Sequence, residues 1–196
     1  FQQMTGINTV IYYAPTIFQK AGFVSDASAI YATVGVGLIN VLFTVVSIKL
    51  IDKLGRKPLL SGGLIGMIIS LAALGMAFQF EANLGSALKW VTVGSLIVYI
   101  ASFAISLGPI AWLIISEIYP LKIRGVAMSI ATLSNWAFNF VVALTFLPLL
   151  DALGPPKTFW VYAVLGVCGW FFCKYYMPET KGHTLEEIET HWQEGK

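Results

Sequence analysis

The sequence predicts an all-α membrane protein of six spanning helices, and three observations carry that prediction. Hydrophobic residues make up 57% of the 196-residue chain and charged residues 11%, against about 25% charged in soluble domains. One soluble core could not hide that much apolar surface. Six runs carry no Asp, Glu, Lys or Arg, at residues 1–19, 27–48, 58–80, 90–116, 125–150 and 158–173, and a bilayer-crossing helix needs roughly 20 apolar residues. None of the runs alternates as the strands of a membrane barrel do, whereas helices satisfy their own backbone hydrogen bonds in lipid.

Extended to the interfaces, the spans are expected at about 1–21, 27–51, 58–80, 88–118, 123–150 and 156–177. The last reaches Tyr175 and Tyr176 with Lys174 snorkelling to the headgroups. One bundle over 1–178 and a tail over 179–196 follow. Lys20, Lys89 and Lys157 fall on the odd-numbered connections. The even-numbered connections and the tail hold Lys49, Lys53, Arg56, Lys57, Lys122, Arg124, Lys174, Lys181 and Lys196. Excess Lys and Arg marks the cytoplasmic side, so both chain ends are expected there. The net charge of +2 is this asymmetry and not a basic stripe for nucleic acid. Cys168 and Cys173 read as packing or lipid-facing residues, not a disulfide or a metal site. No nucleophile–base set, metal cluster or phosphate loop suggests an enzyme or a cofactor.

Amides inside membrane spans are costly unless they face protein or a watery cavity. The first span carries Gln2, Gln3 and Asn8, with Tyr12 one turn beyond Asn8. The second carries Asn40, and the fifth carries Asn135 and Asn139 on a shared face with Trp136 between them. Single amides can serve as interhelical glue, at about 0.6 kcal/mol each. Six over three helices fit a cavity for a neutral polyhydroxylated ligand, because amides both donate and accept. Trp112 offers a flat platform for the apolar face of a sugar ring. Gly108, one turn earlier, leaves room for a ligand, and Pro109 interrupts the helix between them. Gly6, Pro15 and Gly22 also interrupt helical patterns, and broken helices mark sites and gates in transporters. Gly62 and Gly66 form a small-xxx-small pair suited to helix packing.

Asp52, Gly55, Arg56 and Lys57 share the turn between the second and third spans, Glu117 ends the fourth, and Arg124 begins the fifth after Pro120. Such charges either mark the interface or pair as a latch between conformations. Glu117 abuts a charge-free run of 27 residues, 90–116, and needs a partner, which favours the latch. In the tail, Thr184 and Glu187 have capping-box spacing, and Leu185, Ile188 and Trp192 follow on one face. A short amphipathic helix is expected there, with His183 and His191 solvated.

These residues also form a pattern. Gln2-Gln3-Met4-Thr5-Gly6-Ile7-Asn8 with Tyr12-Tyr13, Asp52-Lys53-Leu54-Gly55-Arg56-Lys57, Gly108-Pro109-Ile110-Ala111-Trp112, Ser116-Glu117-Ile118-Tyr119-Pro120 with Arg124, Ser134-Asn135-Trp136, and Pro178-Glu179-Thr180-Lys181-Gly182 occur in order. Along its whole length the chain resembles the carboxy-terminal six-helix half of the sugar porter family of the major facilitator superfamily. The resemblance implies that Gln2, Gln3, Asn8, Asn40, Trp112 and Asn135 contact a monosaccharide, that Trp136 lines the same pocket, and that Tyr12 and Tyr13 lie near the extracellular gate. It implies that Asp52, Arg56, Glu117, Arg124 and Glu179 form a cytoplasmic charge network. It also implies alternating access between two six-helix halves in the plasma (inner) membrane.

Ala111 stands where animal facilitative glucose transporters usually have proline, and Ala104 where they carry a glutamate. Both differences make the chain more similar to bacterial galactose, arabinose and xylose–proton symporters, so protons are an expected partner. In those symporters the proton is attributed to an aspartate of the other half. An uncoupled facilitator and a transporter-like sugar sensor remain open. A cavity formed between two halves needs a partner, so an amino-terminal six-helix half is expected, in the same longer chain, a separate chain or another copy; a start at Phe1 inside an apolar run favours the first.

Overall fold

A computed structural model describes residues 1–23 and 25–182. The first span is two short helices, α1 (Ile7–Tyr12) and α2 (Ala14–Lys20), separated at Tyr13. Pro15 sits in the first turn of α2, where its missing N–H costs nothing. Next come α3 (Asp26–Leu54), capped by the Ser25 side chain, and α4 (Arg56–Gln79). After the short α5 (Glu81–Leu84), the fourth span is α6 (Leu88–Ile105) plus α7 (Leu107–Ile118). The last helical run is α8 (Arg124–Tyr176).

At about 1.5 Å per residue, 53 residues would run about 80 Å, over twice the roughly 30 Å hydrocarbon core. The run is two arms. Gly154 breaks the helical backbone, with φ 77° and ψ 164°, and the Thr158 hydroxyl donates to Gly154 O (2.9 Å) and Leu149 O (3.1 Å) across the turn. Phe146 and Tyr162 would stand about 24 Å apart on a straight helix, yet their rings lie 6.1 Å apart. The chain therefore folds back, and the six crossings are α1–α2, α3, α4, α6–α7 and the two arms of α8. Four stretches, Asp26–Leu54, Arg56–Gln79, Glu81–Ile118 and Arg124–Tyr176, are long and apolar enough to cross a membrane. The fourth of these supplies two crossings, and the broken first span supplies the sixth.

Helix α4 is the core of the bundle. It buries Leu60, Leu64, Met67, Leu71, Leu74 and Phe78, a 4-3-4-3-4 spacing that keeps one stripe inward, and it packs against α6 and α8. The close approach to α6 uses Gly63 and Gly66, where an added Cβ would collide with Ser106 and Ser102. Gly62 has nothing within 4 Å, so the packing pair is shifted one residue from the Gly62–Gly66 expectation. Helix α3, by contrast, buries only Ala29, Val36, Ser47 and Ile51. Ile30, Tyr31, Val34, Leu38 and Val41 are exposed along it. Apolar faces this open suit lipid or another membrane-embedded domain.

Candidate sugar site and cytoplasmic charge cluster

Two broken helices bring the amides together. Gly6 adopts a left-handed φ of 85° and ends the irregular turn that precedes α1. A Cβ there would come within 2.8 Å of the Tyr162 ring, so glycine is required by conformation and by space. The second break falls at Ser106 (φ −116°, ψ −96°), between α6 and α7. It lies three residues before Pro109, where the sequence suggests the interruption, because a proline withholds its N–H from the carbonyl four residues earlier and crowds that turn. That carbonyl belongs to Ile105, and the buried Ser47 hydroxyl of α3 takes it at 2.7 Å.

A chain of amides spans the two breaks. Asn8 Nδ2 donates to Gln3 Oε1 (2.9 Å) and to Asn139 Oδ1 (3.0 Å). Gln3 Nε2 donates to Asn135 Oδ1 (2.9 Å), and Asn135 Nδ2 donates to Gln2 Oε1 (2.6 Å). Gln2 Nε2 ends the chain on the carbonyls of Leu107 (2.8 Å) and Gly108 (3.3 Å). The Tyr13 hydroxyl adds a bond to Ala143 O at 3.3 Å. The pairs 3–135, 8–139 and 13–143 advance together, so the first and fifth spans run parallel. They advance by five residues on the first span and four on the fifth. Asn8 Oδ1 and Asn139 Nδ2 take no partner among the described residues, and neither is fully enclosed. An acceptor and a donor thus remain for hydroxyl groups. A cavity of about 360 Å³ opens beside Gln2, Gln3 and Asn135, walled by Leu107, Ala111, Ile114 and Phe138, while Asn8 and Asn139 lie outside its lining. Among the described residues, no charged side chain lines it.

The other expected contacts stand apart. Among the described residues Asn40 bonds only locally, accepting from Thr44 Oγ1 at its carbonyl (2.8 Å) and at Oδ1 (3.5 Å). Trp112 is half-buried on α7 and Trp136 is 58% exposed on α8, and neither walls the cavity. Tyr12 is exposed while Tyr13 stacks on Phe146 at 5.2 Å, so the two tyrosines of the expected gate diverge. Asn139 joins the cluster although the expected contacts did not include it. Its sequence signal is the four-residue spacing from Asn135.

At the start of α4, Arg56 Nη2 meets Glu117 Oε1 at 3.0 Å, with both side chains largely buried, and Nη1 lies 3.6 Å from the exposed Asp52. The Thr180 hydroxyl donates to Glu117 Oε2 at 2.6 Å. Glu179 caps α4, accepting the N–H groups of Arg56 and Lys57 at 3.0 Å each, and also accepts Lys181 N–H. Burial pushes the Glu179 carboxyl up, but these backbone donors outweigh it and hold the group below the ordinary glutamate value. Gly55 lets the carboxylate approach: φ is 92°, and a Cβ would stand 2.7 Å from Glu179 Oε2. Lys181 Nζ donates to Lys53 O at 2.6 Å. Arg124 does not join the pair; its Nε donates to Tyr119 O at 3.1 Å. Thr180 went unanticipated, and its signal is adjacency to Glu179. The expected tail helix, with Thr184, Glu187, His183 and His191, lies outside the described residues.

A membrane-embedded half-bundle with an uncharged amide cluster at two broken helices has the architecture found in membrane transporters. Residues 1–192 match the family "Sugar (and other) transporter", and the chain belongs to that family of transporters. It is 45% identical over 188 residues to the putative metabolite transport protein YwtG of Bacillus subtilis, covering 96% of this chain and 41% of that protein. It is 42% identical over 200 residues to the D-xylose-proton symporter of Escherichia coli, covering 98% and 39%. The solved structure of the proton:xylose symporter XylE of the major facilitator superfamily, bound to 6-bromo-6-deoxy-D-glucose, superposes with a TM-score of 0.87 at 41% identity, covering 98% of this chain and 40% of that one. The chain spans about two fifths of the length of the relatives it matches.

Proposed function

We propose that this chain is the carboxy-terminal half of a monosaccharide–proton symporter working by alternating access. Residues 1–178 form the half-bundle and 179–196 its cytoplasmic tail, with both ends of the chain cytoplasmic and the protein in the plasma (inner) membrane. The observation that carries the reading is the amide chain from Asn139 through Asn8, Gln3 and Asn135 to Gln2, with an acceptor and a donor unspent. Hydroxyl-rich ligands need both, and an uncharged cavity of this size suits a small neutral molecule. A relative that carries xylose and a neighbour holding a glucose derivative support a pentose or hexose. Asn40, Trp112 and Trp136 do not line the cavity of this half and contact the sugar only where the amino-terminal half closes the site. Tyr12 and Tyr13 serve the outer gate.

The amino-terminal half supplies the other wall and the proton-carrying carboxylate. Glu117 is engaged by Arg56 and Thr180, which supports a latch and not a proton carrier. Asp52, Arg56, Glu117 and Glu179 form the cytoplasmic network that closes the inner side, with Arg124 held on the Tyr119 carbonyl beside it. The test is uptake of labelled D-xylose and D-glucose into liposomes holding this chain co-expressed with an amino-terminal half, with and without an inward proton gradient. Gradient-stimulated uptake is expected, with Gln3→Ala and Asn135→Ala each raising the half-saturating sugar concentration about tenfold, equivalent to 1.4 kcal/mol. Sugar uptake indifferent to both substitutions would refute the site.

A further inference from the structure

We infer that Tyr99 is a positioning residue for the amide cluster: its hydroxyl pins the turn that presents Gln2, Gln3 and Asn8. This rests on the sugar-site reading and adds a residue outside the cavity. In an unbroken helix the carbonyl of Thr5 would accept the N–H of Thr9. Here α1 begins at Ile7, and the first helical bond is Val10 N–H to Gly6 O at 3.0 Å.

The turn then satisfies itself in part. The Gln2 carbonyl takes the Thr5 hydroxyl (3.0 Å), the Gln3 carbonyl takes Gly6 N–H (2.9 Å), and the Gly6 carbonyl also takes the Thr9 hydroxyl (2.7 Å). Within the turn the carbonyls of Met4, a half-buried residue, and Thr5 find no partner, and Tyr99 Oη donates to that of Thr5 at 2.8 Å across 94 residues of sequence. Thr5 and Tyr99 are both fully buried. In a buried setting a carbonyl that loses its partner meets no water to replace it, so the turn must shift to find one.

A shift there moves both glutamines and Asn8 together, since Thr5 lies between them. The motion cannot be taken up by the far side, where Gly6 already abuts the Tyr162 ring. Tyr99 belongs to α6, the helix that ends at the Ser106 break. One helix therefore anchors the turn at Gly6 through Tyr99 and leads into the second break, whose first carbonyls hold Gln2. The turn is thus tied to α6 through Tyr99, and the Gln2 end of the cluster to the start of α7.

The experiment is Tyr99→Phe, which deletes one oxygen and keeps the ring. Thr92→Val is the control, because Thr92 is buried on the same helix and its hydroxyl has no partner. Hydrogen–deuterium exchange should speed at least fivefold over residues 3–10 in Tyr99→Phe and stay unchanged elsewhere and in Thr92→Val. In the co-expressed transporter, the half-saturating sugar concentration should rise about tenfold in Tyr99→Phe while the maximal rate holds within twofold. A uniform rise in exchange across the bundle, or unchanged exchange over residues 3–10, would overturn the inference, whether or not sugar is carried. Wild-type protein that carries no sugar would overturn the proposed function and leave the exchange result to decide the role of Tyr99. A lowered maximal rate with unchanged half-saturation would mark Tyr99 as a general structural residue and overturn its positioning role.

Discussion

Replacing Glu117 with glutamine tests the cytoplasmic cluster most directly, because it removes a charge and keeps the shape. The carboxylate accepts two hydrogen bonds, from Arg56 at 3.0 Å and from Thr180 at 2.6 Å. Hydrogen bonds to a charged group contribute about 1.5–3 kcal/mol each, against roughly 0.5–1.5 for neutral ones, so neutralising the acceptor loses about 1 kcal/mol per bond. The Coulomb attraction of two unit charges about 4 Å apart is about 4 kcal/mol at an effective dielectric of 20, before desolvation takes back part of it. The hydrogen-bond difference sets the expected net loss for Glu117→Gln at about 2 kcal/mol, with the Coulomb figure as its upper bound. Unfolding in mixed micelles, followed by helical circular dichroism, measures it. A double-mutant cycle with Arg56→Gln should give a coupling of about 1 kcal/mol, and a cycle with Asp52→Asn almost none. Exposed pairs such as Asp52 contribute about 0–1 kcal/mol, and the Asp52 side chain is 83% exposed. A Glu117–Arg56 coupling below about 0.3 kcal/mol, the ordinary error of additivity, would refute the reasoning.

Three further outcomes follow from the same contacts. Gly55→Ala forces an L side chain into a left-handed backbone and against the Glu179 carboxylate, at a cost of about 1–2 kcal/mol for the backbone alone, read as a lower thermal midpoint. The Glu179 carboxyl titrates below its ordinary value of about 4.3, so its ionised form is favoured by folding. Its contribution is full above about pH 4.3 and is lost as pH falls through the lowered value. The midpoint difference between wild type and Glu179→Gln should therefore be constant near neutrality and shrink below about pH 4; a difference that grows on acidification would contradict the cap. Ser47→Ala leaves the Ile105 carbonyl orphaned at the proline break, a loss of about 1–3 kcal/mol. Pro109→Ala in the same background should restore most of it by returning the missing N–H, and the cycle of midpoints checks this.

Much of the fold was legible in the residues alone because membrane insertion is a local criterion. A charge-free run of some 20 residues is a crossing wherever its neighbours lie. The motif glycines were legible too, since a backbone that must turn left or admit a close neighbour asks for glycine at that position. The pairing of polar groups was not. Asn40 and Asn139 are the same residue type in similarly apolar helices, yet only Asn139 reaches Asn8. Side chains more than a hundred residues apart meet according to the rotation and register of two packed helices, and no single run encodes that.

Composition, run length and motif order therefore determined that the chain is a membrane half-bundle, how many times it crosses, and which residue types crowd its two polar ends. Tertiary structure alone decided which of those residues meet. It sent Arg124 to a backbone carbonyl and gave Glu117 to Arg56 and Thr180. It moved the fourth-span break from Pro109 to Ser106, and it recruited Ser47 and Tyr99 to the two broken helices. The physical reason is the same in each case: a backbone or amide group in lipid must find a partner, and packing geometry determines which partner is within 3 Å.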